Sequence, residues 1–311
     1  MSNTIHKPVL CREVVKYLDP CENDNFVDCT VGGGGHTREL LKRNGPKGQI
    51  LAFDWDQEAL NKVKESLSEY EKRLILIRAS YTKIKQYIFE KDFFPIKGIV
   101  LDLGLSSDQL QDSGRGFSFQ VKEPLDMRYS PEDNNLTAEK IINQWPEKEL
   151  IKMLKDNSEE KKAKSIARVI VEERKKEPIK NTLQLAGIIV KNCSSTGKRI
   201  HPATKTFQAL RIEVNDELEN LKNVLNDIVD LVESGTRLAV ISFHSLEDRI
   251  VKNFFKRESK GCICSPETPV CTCGHKAKIK IITKKPITPS SEEIKKNFRS
   301  RSAKLRVAQF L

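Results

Sequence analysis

DCTVGGGGHT (28–37) places four consecutive glycines between an apolar run and a helical pattern. NFVDCTV (25–31) before it reads as a β-strand, and TRELLKR (37–43) after it opens a helix. Glycines at a strand end that lead into a helix let a ligand lie against bare backbone near the helix N-terminus. The dinucleotide fingerprint GxGxxG fails, because its third glycine would fall at Thr37. The phosphate loop GxxxxGK[ST] fails as well, since no lysine follows at the required place. What remains is an acid, Asp28, then Gly32, Gly34, Gly35 and His36.

Working outward, strands and helices alternate. QILAFD (49–54), LILIRA (74–79) and GIVLDL (98–103) are the next strands, and Leu60, Val63 and Leu67 mark a helix between the first two. Such alternation means βαβ units and a parallel sheet. It stops at residue 106. From there to 202 the chain reads as charged helical stretches after a loop, GRGFSF (114–119). Phe207, Leu210, Val214, Leu218, Leu221, Leu225, Ile228 and Leu231 then recur at helical spacing, which predicts one long amphipathic helix closed by Gly235. RLAVISF (237–243), KIKIITK (278–284) and AKLRVAQF (303–310) complete seven strands. The expected domains are a core of residues 1–105 and 203–311, and a helical insertion over 106–202 placed to clamp a substrate.

Asp54 ends the second strand, 20 residues after Gly34, where a carboxylate accepts hydrogen bonds from ribose hydroxyls. Trp55 beside it is a candidate adenine contact. A ligand with an adenosine and no phosphates, such as S-adenosylmethionine, fits this pattern better than NAD; the competing reading is a tight structural turn and a capping Asp. Asp102 ends the fourth strand, on the edge that faces the ligand crevice in open α/β sheets, and Gln109 follows closely. A carboxylate there can orient an exocyclic amine of a nucleobase, whose lone pair is otherwise delocalised into the ring. It can equally cap the next turn. No cysteine lies near the ends of strands four or five, which argues against a cysteine nucleophile and for methylation on nitrogen or oxygen.

The chain has 311 residues and a net charge of +11. Residues 249–311 carry 16 Lys and Arg against 4 Asp and Glu, a net +12, so the remainder sums to −1. So local a bias points to a polyanion, nucleic acid first, over a merely solvated surface. No apolar run approaches the ~18 residues of a membrane span, and MSNTIHKPVL (1–10) lacks a signal-peptide core, so no membrane partner and a cytoplasmic location are expected. Cys11, Cys21, Cys29 and Cys193 read as small buried apolar residues. CICSPETPVCTC (262–273) holds two CxC pairs, which could form a structural tetrathiolate zinc site or redox-sensitive thiols; the chemistry needs no metal.

HKPVL (6–10), TVGGGGHT (30–37), DLGLSSDQL (102–110), RGFSF (115–119), PLDMR (124–128), HPATKTFQALRIEVNDEL (201–218), SFHSLEDR (242–249) and RSRSAKLR (299–306) together resemble the bacterial 16S rRNA (cytosine-N4)-methyltransferase family, over nearly the whole chain. The resemblance implies an α/β class I methyltransferase (Rossmann-like) fold, a seven-stranded sheet with an inserted all-helical domain. It implies S-adenosylmethionine as cofactor, 16S rRNA or the small ribosomal subunit as partner, and N4 methylation of one cytosine. The family's cofactor-binding positions carry over to Gly34, Gly35, His36, Asp54, Tyr81, Asp102 and Gln109.

Two expectations rest on residues alone. His244, after the fifth strand, could relay the proton the product loses, or could belong to a network with Glu247, Asp248 and Arg249 that ties strand to helix. Arg115 and Arg128 could contact an RNA backbone with Phe117 or Phe119 as a stacking face, or hold a salt-bridged loop. A DNA amino-methyltransferase and a non-catalytic ribosome-assembly factor are the rivals. Leu103, Gly104 and Leu105 depart from the DPPY-like motif of the first, and the intact glycine loop, Asp54 and Asp102 argue against the second. Oligomeric state, a homodimer included, is left open.

Overall fold

The computed structural model describes residues 8–104, 113–192, 201–265, 267 and 270–311. Seven strands form one sheet: β1 Phe26–Asp28, β2 Ile50–Asp54, β3 Leu74–Arg78, β4 Gly98–Asp102, β5 Arg237–Ser242, β6 Ile279–Ile281 and β7 Lys304–Phe310. Their order is β3-β2-β1-β4-β5-β7-β6. The first five are parallel, with Phe26 opposite both Ile50 and Gly98, and Asp102 opposite Ile241; β7 runs antiparallel to β5 and β6. Strand order reverses between β1 and β4, which makes their carboxyl ends the switch point where such sheets open a crevice.

β2, β4 and β5 are buried on both faces and accordingly read as continuous apolar runs. One face, with Val27, Leu51, Phe53, Ile99, Leu101, Leu238 and Val240, packs on α4 (Ile84–Glu90), α10 (Glu217–Leu231) and α11 (Ser245–Glu258). The other, with Phe26, Ile50, Ala52, Val100, Ala239 and Ile241, packs on α1 (Cys11–Leu18), α2 (Gly35–Leu41) and α3 (Gln57–Ser66). The fold is the expected α/β, Rossmann-like arrangement of a seven-stranded sheet.

Residues 105–219 form a second compact unit, and 1–104 with 220–311 the first. The second unit contains α5 (Ala138–Gln144), α6 (Glu147–Ser158), α7 (Ala163–Arg174), α8 (Thr182–Asn192) and α9 (Thr204–Asn215) around its own core of Leu125, Ile141, Leu154, Ile166, Leu185 and Leu210. Among its described residues it holds no strand, only an isolated bridge between Pro124 and Asn181. Its end at 219 differs from the expected 202. The long helix predicted over 207–231 is two helices: Asp216 takes a left-handed φ of 51° and breaks it. Phe207, Ala209, Leu210 and Val214 on α9 then bury in the second unit's core, while Leu221, Val224, Leu225 and Ile228 on α10 bury against the sheet. A short α12 (Ser291–Lys296) precedes β7.

Candidate functional site

Three acids stand at carboxyl ends of adjacent strands: Asp28 on β1, Asp54 on β2 and Asp102 on β4. Asp28 is buried and anchors the start of the glycine loop. Its carboxylate accepts from Thr37 Oγ1 at 2.6 Å and from the Thr30 amide at 3.1 Å. Burial pushes its pKa up against the pull of Thr37, His36 and Thr30. Thr30 Oγ1 in turn accepts the Asp102 amide at 2.7 Å, which stitches β1 to β4 across the switch point.

The loop turns at Gly32 and Gly34, both left-handed at φ 47° and 75°, a conformation that costs glycine nothing. The Gly32 amide donates to Asp54 Oδ2 at 2.9 Å, and the Asp56 amide to Oδ1 at 2.9 Å. Burial pushes the Asp54 carboxyl up to about 6, although both amides pull it down. A Cβ on Gly32 would meet only the Thr30 carbonyl, at 3.9 Å, so the absent side chain keeps the crevice clear. Gly35 serves packing as well: a Cβ there would stand 2.7–2.8 Å from the Pro8 ring. Tyr81 follows β3 in a single 3₁₀ turn capped by Ser80, whose hydroxyl accepts the Thr82 amide at 3.1 Å.

His36, 5% exposed, sits on the first turn of α2 with Nε2 3.4 Å from Asp102 Oδ2. Burial opposes its charge, but Asp102 and Cys11 outweigh burial and raise its pKa. Asp102 Oδ1 is buried and has no hydrogen-bond partner among the described residues. A buried acceptor left without a donor costs about 1–3 kcal/mol. Such an atom at a switch point marks where a ligand donor belongs. The expected Gly34, Gly35, His36, Asp54 and Asp102 therefore converge on one strand-end crevice. Gln109 lies outside the described residues.

Sequence reasoning named Asp28 at the head of the loop without a role, read Cys11 as a small apolar residue and missed Thr30 and Thr37; the fold brings Thr37 to Asp28, Thr30 to Asp102 and Cys11 to His36. A separate cavity of about 720 Å³ lies beside α1 and α2, lined by Cys11, Arg12, Gly35, Arg38, Lys42 and Lys296. It touches neither Asp54 nor Asp102, and Lys42 and Lys296 are paired with Glu39 and Glu292.

Other candidates are committed elsewhere. His244 is the N-cap of α11: Nδ1 accepts the Glu247 amide at 3.4 Å, Nε2 lies 3.1 Å from Glu247 Oε1, and Glu247 Oε2 accepts the Phe243 and His244 amides at 2.8 and 3.2 Å. That reciprocal box is the strand-to-helix tie anticipated as the alternative to proton relay. Asp248 completes it by binding Arg306 at 2.7 Å and Lys304 at 3.3 Å. Arg128 binds Asp126 through two bonds of 2.7 Å and donates to the Asn134 carbonyl, while Arg115 donates to the Tyr129 carbonyl. Phe117 stacks on Tyr129, and Phe119 on His201 at 4.6 Å. These four side chains build the second unit's own loop, in line with the salt-bridged-loop reading set beside RNA contact. Of the scattered cysteines only Cys29 is buried; Cys11 is half-buried, Cys21 is exposed, and Cys193 is outside the described residues.

The model of a family described as the MraW methylase family matches residues 3–311. Proteins named ribosomal RNA small subunit methyltransferase H are similar over nearly full length. One from Thermomicrobium roseum is 46% identical over 307 residues, 99% of this chain and 94% of that one. One from Carboxydothermus hydrogenoformans is 45% identical over 307 residues, 98% of each chain. One from Clostridium botulinum (strain Kyoto / Type A2) is 47% identical over 305 residues, again 98% of each.

Proposed function

The chain belongs to the MraW methylase family, and from that membership and the strand-end crevice we propose that it is an rRNA methyltransferase that methylates the N4 amino group of a cytosine in 16S rRNA, using S-adenosylmethionine. The observation that carries the reading is Asp102 Oδ1, a buried acceptor at the switch point without a donor among the described residues. When bound, S-adenosylmethionine supplies a methyl group on a sulfonium sulfur. The chain's residues do the rest. Asp54 keeps lone pairs for the ribose hydroxyls while its two backbone bonds hold it still. Gly32 and Gly34 leave room for the methionine part, and Gly35, His36, Tyr81 and Gln109 complete the cofactor site.

Asp102 is the catalytic residue in this reading. Its free oxygen accepts an N–H of the cytosine amine, favours the pyramidal attacking form and takes the proton the amine gives up. His36 faces Oδ2, with Nε2 3.4 Å away, and fixes which oxygen of Asp102 is left for the amine. His244 is a positioning residue that sets α11 against β5. The RNA backbone meets exposed Lys276, Lys278, Lys280, Lys284 and Lys285, which have no ion-pair partner among the described residues, and exposed Phe298, over which Arg301 lies at 5.0 Å. The second unit clamps the base that must leave its stack. The substrate is cytoplasmic, and no helix of the described residues is long and apolar enough to cross a membrane.

The test supplies methyl-labelled cofactor with naked 16S rRNA, small subunits and duplex DNA in parallel, and identifies the product nucleoside by mass spectrometry. N4-methylcytidine from rRNA or subunits is expected; label on DNA overturns the substrate. Asp102→Ala is expected to lose at least about 100-fold in turnover, in the range of a lost general acid–base group, with a much smaller loss of cofactor affinity. Methylation at the parent rate would remove Asp102 from the chemistry.

A further inference from the structure

We propose that Cys262, Cys264, Cys271 and Cys273 bind one zinc ion through four thiolates, in a closed structural site remote from the methyl-transfer crevice. The cysteines lie in the long segment between α11 and β6. The Lys278 amide donates to the Glu258 carbonyl at 2.8 Å and closes its base. Within it, none of the described residues from 259 to 277 is buried. No apolar packing explains its conformation, and loops of this length without secondary structure are uncommon unless something orders them.

The four sulfurs nevertheless converge. Cys271 Sγ is 3.4 Å from Cys262, 3.6 Å from Cys273 and 4.0 Å from Cys264; Cys273 is 3.8 Å from Cys262. All four lie within 4.8 Å of one another. Sulfurs at the corners of a tetrahedron about a zinc at about 2.3 Å stand about 3.8 Å apart. The observed separations bracket that edge, and all four of these cysteines are free.

The backbone supplies the second observation. The Ile263 amide donates to Cys273 Sγ at 3.5 Å. N–H groups aimed at sulfur favour thiolates, the form that binds metal. Gly274, left-handed at φ 60°, turns the chain directly after Cys273. Four protein ligands leave no open position, so the ion is structural. Binding releases the protons of whichever thiols were protonated, and the resulting −2 complex is offset by exposed Lys260, Lys276 and Lys278.

The experiment uses the full chain purified under reducing conditions. Elemental analysis is expected to give one zinc per chain, and X-ray absorption at the zinc edge four sulfurs at about 2.3 Å. Cobalt exchanged for zinc is expected to show thiolate-to-metal charge transfer and tetrahedral visible bands. Cys262→Ser/Cys271→Ser is expected to lose the metal and expose the loop to limited proteolysis, with an unchanged far-ultraviolet circular dichroism spectrum that reports an intact sheet. The proposal is overturned by zinc below a tenth of stoichiometry after reconstitution, by oxygen or nitrogen ligands, by an iron–sulfur spectrum, or by disulfides in the protein as isolated from cells.

Discussion

Asp54 carries two demands at once. Folding buries it, and that burial raises its carboxyl to about 6. The ligand we assign needs the ionised form to accept from ribose hydroxyls. The raised pKa means that folding favours the protonated acid. This group therefore adds to the stability of the apoprotein as pH falls through about 6 towards the ordinary carboxylate range, and the gain is lost again as pH rises through 6. Cofactor affinity should move the opposite way. Calorimetric titration of S-adenosylmethionine is expected to weaken up to about tenfold per pH unit below 6. Asp54→Asn can accept only one of the two amides from Gly32 and Asp56, and is expected to bind about 10- to 100-fold more weakly at pH 7.5, as for a lost charge-assisted hydrogen bond. A flat pH profile for the parent protein would show that this carboxylate does not hold the ligand. Asp54 and Asp102 were legible because a strand end followed by a lone acid is a local pattern. Asp28 was harder to read, since its role comes from Thr37, nine residues on, and from burial that only the sheet creates. Arg115 and Arg128 left two readings open for a related reason: a basic residue in a Gly- and Phe-rich loop looks the same whether its partner is a phosphate or, as for Arg128, Asp126.

At the level of elements, the start of α11 is a mechanical tie. Its first turn holds β5 through the His244–Glu247 box and β7 through Asp248. Arg306 is 8% exposed, so removing Asp248 strands a buried guanidinium. Asp248→Asn is expected to destabilise the fold by about 3 kcal/mol, the lower end for one lost partner of a buried pair. Burial would raise the Asp248 carboxyl, but Arg306 and Lys304 overcome it and hold it below the usual range. Its contribution is thus present above the ordinary carboxylate pKa and disappears as pH falls through the lowered value. Denaturant melts at pH 7 and pH 3 check this: the gap between parent and variant should be smaller at the second than at the first. An equal gap at both would mean that the charge of Asp248 is irrelevant. The strands themselves were legible to within a few residues, because buried parallel strands are unbroken apolar runs bounded by polar turns. The break at Asp216 was not, since the apolar spacing continues through it and periodicity does not say which of two cores a helical face joins.

For the whole molecule, the sequence makes the switch from alternation to helices visible, and with it the insertion. Its far boundary depends on α9 packing with α6, a tertiary choice invisible in a linear pattern. Charge asymmetry is legible at this scale too, because net charge needs no fold to be counted. What the structure adds is that Lys276, Lys278, Lys280, Lys284 and Lys285 are exposed and without ion pairs among the described residues, whereas Arg306 and Lys304 are spent inside the molecule. Only the first group can displace counterions from a nucleic acid. Each such contact steepens the salt dependence of binding by about 0.7–0.9 in log–log slope. Lys284→Gln/Lys285→Gln is therefore expected to lower the slope for a 16S rRNA fragment by about 1.5 if both lysines meet phosphate, with cofactor affinity unchanged. Lys152→Gln, which removes an exposed lysine already paired with Asp156, should leave the slope as it was. Fluorescence anisotropy over a series of potassium chloride concentrations measures all three proteins. Parallel lines for parent and double variant would move the RNA path away from this segment and onto another face.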